Sequence, residues 1–101
     1  MKVKRINKIK INSSEFSIKW DDSTWAGFCS YEKLTIMIGT KQSEAEIFAT
    51  LCHEIMELIA CEMFVRFNRG DCSSDYIFVY DHRQHTTMMS MFAGIISQFI
   101  K

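Results

Sequence analysis

Polar and apolar residues alternate along the first part of the chain and recur at helical spacing after residue 43. Residues 2–6 and 9–12 alternate loosely, and Glu15-Phe16-Ser17-Ile18-Lys19-Trp20 alternates cleanly, the period-two signature of a half-buried strand. Asn12-Ser13-Ser14 between them reads as a turn, and Asp21-Asp22-Ser23-Thr24 as a second turn or short loop. Trp25 to Tyr31 is irregular or a short strand, and Glu32-Lys33 a hairpin turn. Leu34-Thr35-Ile36-Met37-Ile38 is rich in β-branched residues and stops at Gly39, which predicts a strand. Ser43 followed by Glu46 forms a capping box, and Ile47, Leu51, Ile55, Leu58, Ile59 and Met63 then fall on one helical face. That helix is expected to run to about Phe67, where Asn68-Arg69-Gly70-Asp71 would end it. Residues 76–80 form a short apolar run. Asp81 with Gln84 repeats the capping signal and opens a last helix, whose expected buried stripe is Met88, Met89, Phe92, Ile95, Ile96 and Phe99, with His82 and His85 in its first turn. Strands first and helices later predict an α+β domain, a small antiparallel-containing sheet packed on a central helix and a C-terminal helix.

Composition narrows the class. The 101 residues make one domain, 1–101, and 48% of them are apolar, enough for a core. Twelve basic residues balance twelve acidic ones, so no global field draws the chain to nucleic acid or to a membrane surface. Lys2, Lys4, Arg5, Lys8 and Lys10 crowd the start, which reads as the wet face of an edge strand rather than a phosphate-binding arm. No apolar segment of signal-peptide type follows that basic start. The most apolar stretch, Met88 to Ile100, falls short of the roughly 20 residues that span a bilayer. A cytoplasmic setting is expected. Cys29, Cys52, Cys61 and Cys72 form no C-x-x-C pair, and Cys52 and Cys61 lie about 13 Å apart along a helix, so all four are expected to be thiols. Core filling is the expected role of Trp20, Trp25 and the methionines at 88, 89 and 91.

The chemistry concentrates in Leu51-Cys52-His53-Glu54-Ile55-Met56-Glu57-Leu58. His53 and Glu57 are four residues apart, so they stand on one helix face with side chains roughly 6 Å apart, within reach of one ion. Glu54 is turned by about 100° from His53, which suits a general base beside the ion rather than a ligand to it. This is the layout of the metalloprotease motif H-E-x-x-H with glutamate in the second histidine's place. A third ligand must come from elsewhere. His82 faces the central helix in principle, and His85 is its rival. Two histidines with one carboxylate favour zinc or another divalent transition metal, with the carboxylate loosening preference toward Mn, Fe, Co or Ni.

Together, Thr35-Ile36-Met37-Ile38, Glu44-Ala45-Glu46, Ala49 to Leu58 and Tyr76-Ile77-Phe78-Val79-Tyr80-Asp81-His82 resemble short prophage-type proteins of the zincin-like class. Those carry a strand, an H-E-x-x-[HE] helix and a later histidine opening a final helix. The resemblance spans roughly residues 34–100. It implies a minimal zinc-dependent metallohydrolase of peptidase type, with His53, Glu57 and His82 as metal ligands and Glu54 as the base. It also implies that the strand at 34–38 lies at the sheet edge and pairs with an extended peptide. The reading from another class is a non-catalytic interaction module that keeps the fold with or without metal. A nucleic-acid module using the basic start is a third.

Overall fold

Local chemistry sets the ends of most elements in the structure, a computed structural model that describes residues 2–68 and 75–100. Strands β1 (Lys8–Ile11) and β2 (Ser14–Asp21) form a hairpin about Asn12, which adopts the left-handed region (φ 55°) that asparagine tolerates. Strand β3 (Gly27–Ser30) turns through Tyr31–Leu34 into β4 (Thr35–Gly39). Helix α1 (Glu44–Glu62) begins at the predicted capping box: Glu46 N–H donates to Ser43 Oγ, and Ser43 N–H to Glu46 Oε1. Strands β5 (Arg66–Asn68) and β6 (Tyr76–Phe78) make a separate antiparallel hairpin. Helix α2 (His82–Ile96) opens on the second predicted box, Asp81 with Gln84, and runs into a 3-10 turn at Ser97–Phe99. The fold is α+β, as expected: a mixed four-stranded sheet with both helices packed on it, and the β5–β6 hairpin at the end of α1. No helix among the described residues is long and apolar enough to cross a membrane.

The sheet order is β1-β2-β4-β3, with β2 and β4 parallel and the other two pairs antiparallel. The strand expected at the edge, 34–38, therefore lies inside the sheet, whose edge strands are β1 and, beside β4, β3. Burial explains the exchange. Ile36 and Ile38 of β4 are fully buried against α1, whereas Gly-Phe-Cys-Ser of β3 is short and only half covered, the kind of sequence that edges tolerate. One sheet face contributes Ile9, Ile11, Phe16, Ile18, Ile36 and Ile38. Helix α1 answers with Ile47, Leu51, Ile55, Leu58 and Ile59, and the C-terminal segment adds Met88, Ile95, Ile96 and Phe99.

Four further expectations are corrected. Residues 2–6 form no strand; they are a strap, with Val3 buried, its N–H donated to Glu44 Oε1 (2.8 Å), and Lys4 N–H donated to the Phe99 carbonyl (2.9 Å). Helix α1 stops at Glu62, not near Phe67. Phe64 takes the left-handed position (φ 58°), its N–H donating to the Cys61 carbonyl and that of Val65 to the Ala60 carbonyl. That is the helix-terminating pattern in which glycine is usual, and buried Val65 supplies its hydrophobic contact. Arg69, Gly70 and Asp71, expected to end the helix, lie outside the described residues, as does Cys72. Met89 is exposed rather than part of the stripe of α2, and so are His82 and His85. Trp25 is exposed, while Trp20 packs on the core and donates its indole N–H to the Ile6 carbonyl.

Candidate functional site

Helix α1 presents three stripes. Ile47, Leu51, Ile55 and Leu58 enter the core. Thr50, Glu54, Glu57 and Cys61, spaced by four, three and four residues, turn toward β3 and the β5–β6 hairpin. Ala49, His53, Met56 and Ala60 turn toward Phe78, Tyr80 and α2. Glu54, Glu57 and Cys61 of the second stripe floor an open cleft of about 940 Å³, walled by β3 on one side and by Arg66, Tyr76 and Phe78 on the other.

Glu54 is the one buried charged residue among those described, at 8% exposure, and no basic side chain of the described residues is paired with it. The cation of the cleft among the described residues, Arg66, goes to Glu57 instead: Nη1 donates to Glu57 Oε1 at 2.8 Å, and the guanidinium lies over the Tyr76 ring, 3.9 Å from its centre. Glu57 Oε2 is left facing His53 Nε2 at 3.9 Å, with the imidazole 68% exposed at the mouth of the cleft. Two donors bound to one ion at about 2.1 Å and a tetrahedral angle are about 3.4 Å apart, so a small adjustment suits this pair to a shared metal. His82 and His85 do not join them. Among the described residues no three histidine, cysteine, aspartate or glutamate side chains gather as a metal-holding group. His85 stacks on Tyr80 instead, ring centres 5.9 Å apart.

Two neighbours of Glu54 carry no motif signal. A Cβ on Gly27 would collide with Thr50 Cγ2 and stand 2.8 Å from Glu54 Oε2, so only glycine lets β3 come this close to α1. The Cys29 thiol points the same way. Burial, and then the hydrogen bond it gives Glu54, push its pKa up to about 12. A glycine opening a short strand is the signal that would have flagged this approach. The expected consequence is a protected thiol. Iodoacetamide at pH 8 should label Cys29 at least about tenfold more slowly in the folded chain than in the unfolded one, because the thiolate is the nucleophile. Glu54→Gln should speed that labelling several-fold, and peptide mapping of the alkylated protein reads both rates. Equal labelling in both chains would show that the Cys29–Glu54 contact is absent.

The edge of β3 has a defined polarity. Gly39 N–H donates to the Ala26 carbonyl (2.7 Å), and the register continues as Gly27↔Ile38, Phe28↔Met37, Cys29↔Ile36 and Ser30↔Thr35. Antiparallel pairs alternate, so Phe28 and Ser30 bond to β4, and the N–H and C=O of Gly27 and Cys29 face outward along the cleft. Compared with protein-family models, with curated proteins and with solved structures, the chain matches none.

Proposed function

We propose that this cleft is the site of a metal-dependent hydrolase of peptidase type, cutting an amide bond in an extended peptide. The observation that carries the reading is Glu54. A carboxylate buried at the floor of a cleft with no counter-charge among the described residues is costly, and a cation bound beside it would offset that cost. His53 and Glu57 are the residues that would hold zinc or another divalent transition metal. His82 is the third ligand in this reading, with His85 its rival. Bringing His82 to the pair requires movement of the first turn of α2. A metal held there would acidify a water and polarise the amide carbonyl.

Each residue then has a task. Glu54 takes a proton from water in the cleft and delivers it to the leaving nitrogen. Arg66 holds one oxygen of Glu57 and keeps the other turned to His53, the kind of support that outer partners give metal ligands. The outward backbone groups of Gly27 and Cys29 offer an extended peptide two residues' worth of strand pairing, so the peptide lies along β3 rather than along 34–38. A cytoplasmic setting accords with the three free cysteines described, Cys29, Cys52 and Cys61.

Elemental analysis of protein purified without chelator or metal-affinity resin tests the proposal. About one transition-metal ion per chain is expected, since the motif offers one site. Metal-free protein that also fails to take up zinc, cobalt or manganese on dialysis would overturn it.

One observation favours the interaction-module reading. Phe67 (47%) and Ile77 (41%), paired on the face of the β5–β6 hairpin opposite Arg66, are exposed, as are Phe64 (81%) and Val79 (61%) at its flanks. Large apolar side chains exposed on one small hairpin are a mark of contact surfaces.

A further inference from the structure

Beside the cleft, on the other side of the His53–Glu57 ridge, lies a second hollow of about 480 Å³. Its helix wall is the third stripe of α1, in which Ala49 and Ala60 are small and Met56 lies between them. Its opposite wall is made by Phe78, Tyr80 and Met88. His53, Glu57 and Phe78 belong to both spaces, so the hollow opens where the proposed ligand pair stands.

We infer that this hollow receives a large, uncharged apolar side chain, aromatic or of leucine or methionine type, from the peptide residue next to the bond being cut. The inference rests on the hydrolytic reading of the cleft and adds the substrate's side-chain class. Three features carry it. The lining is apolar apart from His53 and Glu57, which face each other while Arg66 holds the other oxygen of Glu57, so a charged side chain entering here would shed water and gain a partner only by displacing one of these contacts. Phe78 and Tyr80 are more than 40% exposed, apolar surface that a substrate side chain would cover, and the stack of Tyr80 on His85 holds that ring as a wall. Met56 and Met88 bracket the space with flexible thioethers that adapt to several shapes, so selection is expected for size and polarity rather than for one residue. The alanines keep it open; a large side chain at Ala49 would fill it from the exposed face of α1 without entering the core.

The test uses metal-free protein, so its outcome does not depend on catalysis. N-acetyl-phenylalanine amide and N-acetyl-leucine amide are titrated against the full chain, with N-acetyl-lysine amide and N-acetyl-glutamate amide as controls. Methyl NMR follows Met56, Met88, Ala49 and Ala60. Saturable shifts at these methyls are expected in the roughly millimolar range for the apolar probes, which are small ligands. They should be at least about tenfold weaker for the charged ones and lost in Ala49→Trp. No saturable shift, equal response to charged probes, or unchanged binding by Ala49→Trp would overturn the inference. Cleavage of peptides with no preference for an apolar residue beside the cut would also overturn it while leaving the hydrolytic reading intact. Probe binding that Ala49→Trp removes, in a protein that takes up no metal, would keep the hollow as an apolar side-chain site and overturn the hydrolytic reading and the placement beside a cut bond.

Discussion

Glutamine in place of Glu54 is expected to lower hydrolysis of any peptide the wild type cleaves by about a hundredfold or more, with fold and metal content retained. The two side chains have nearly the same shape, which matters here because Gly27 leaves no room: even a Cβ on β3 would lie 2.8 Å from Glu54 Oε2. The amide oxygen can still accept the Cys29 thiol. What disappears is the base, and with it a buried charge that no basic side chain among the described residues neutralises. The urea midpoint of the metal-free variant should therefore be unchanged or higher, since a neutral group costs less to bury than an unpaired ion. The combination is diagnostic. A merely structural glutamate would leave the rate per folded, metal-loaded molecule untouched. A ligand would take the metal with it. Rates measured beside metal content and a urea melt separate the three, and an unchanged rate would remove Glu54 from the mechanism.

The parts of this molecule legible in its sequence are those decided by neighbours along the chain. Both capping boxes are local hydrogen-bond chemistry, Ser43 with Glu46 and Asp81 with Gln84, and the structure has both. The alternation of β2 and the β-branched run of β4 gave strands for the same reason. Three features were hidden because long-range packing decides them. Insertion of β4 between β2 and β3 follows from which strand buries more, and it puts Gly27–Ser30 at the edge where 34–38 was expected. The end of α1 rests on Phe64 in a conformation that phenylalanine rarely adopts, made tolerable by the burial of Val65. Extending the helix through Phe67 concealed the role of Arg66, which the turn brings back onto Glu57. At the site, the sequence placed His53, Glu54 and Glu57 on adjoining helix faces by spacing alone. Gly27, Cys29 and Arg66 come to them only through the fold, and the place of His82 depends on how the first turn of α2 lies.

Exchanging the candidate ligands one at a time is expected to rank them. His53→Ala removes the only imidazole facing Glu57 Oε2, so metal affinity should fall by more than the roughly 10–100-fold that losing an outer-shell partner costs. Glu57→Gln should weaken binding too, because a neutral amide is a poor ligand for a hard cation, and it also leaves Arg66 without its carboxylate. His82→Ala should lower affinity to a similar degree and His85→Ala should not, since His85 is occupied by its stack on Tyr80. Binding in the wild type should weaken as pH falls, because histidine ligates only as the neutral imidazole and protons compete with the ion. Zinc competition titrations on each folded variant give the order. Full affinity in His82→Ala with loss in His85→Ala would exchange their roles. Full affinity in both would leave a site of two protein ligands, His53 and Glu57, with α2 free of the metal. Full affinity in His53→Ala would place the ion elsewhere and remove the cleft from the chemistry.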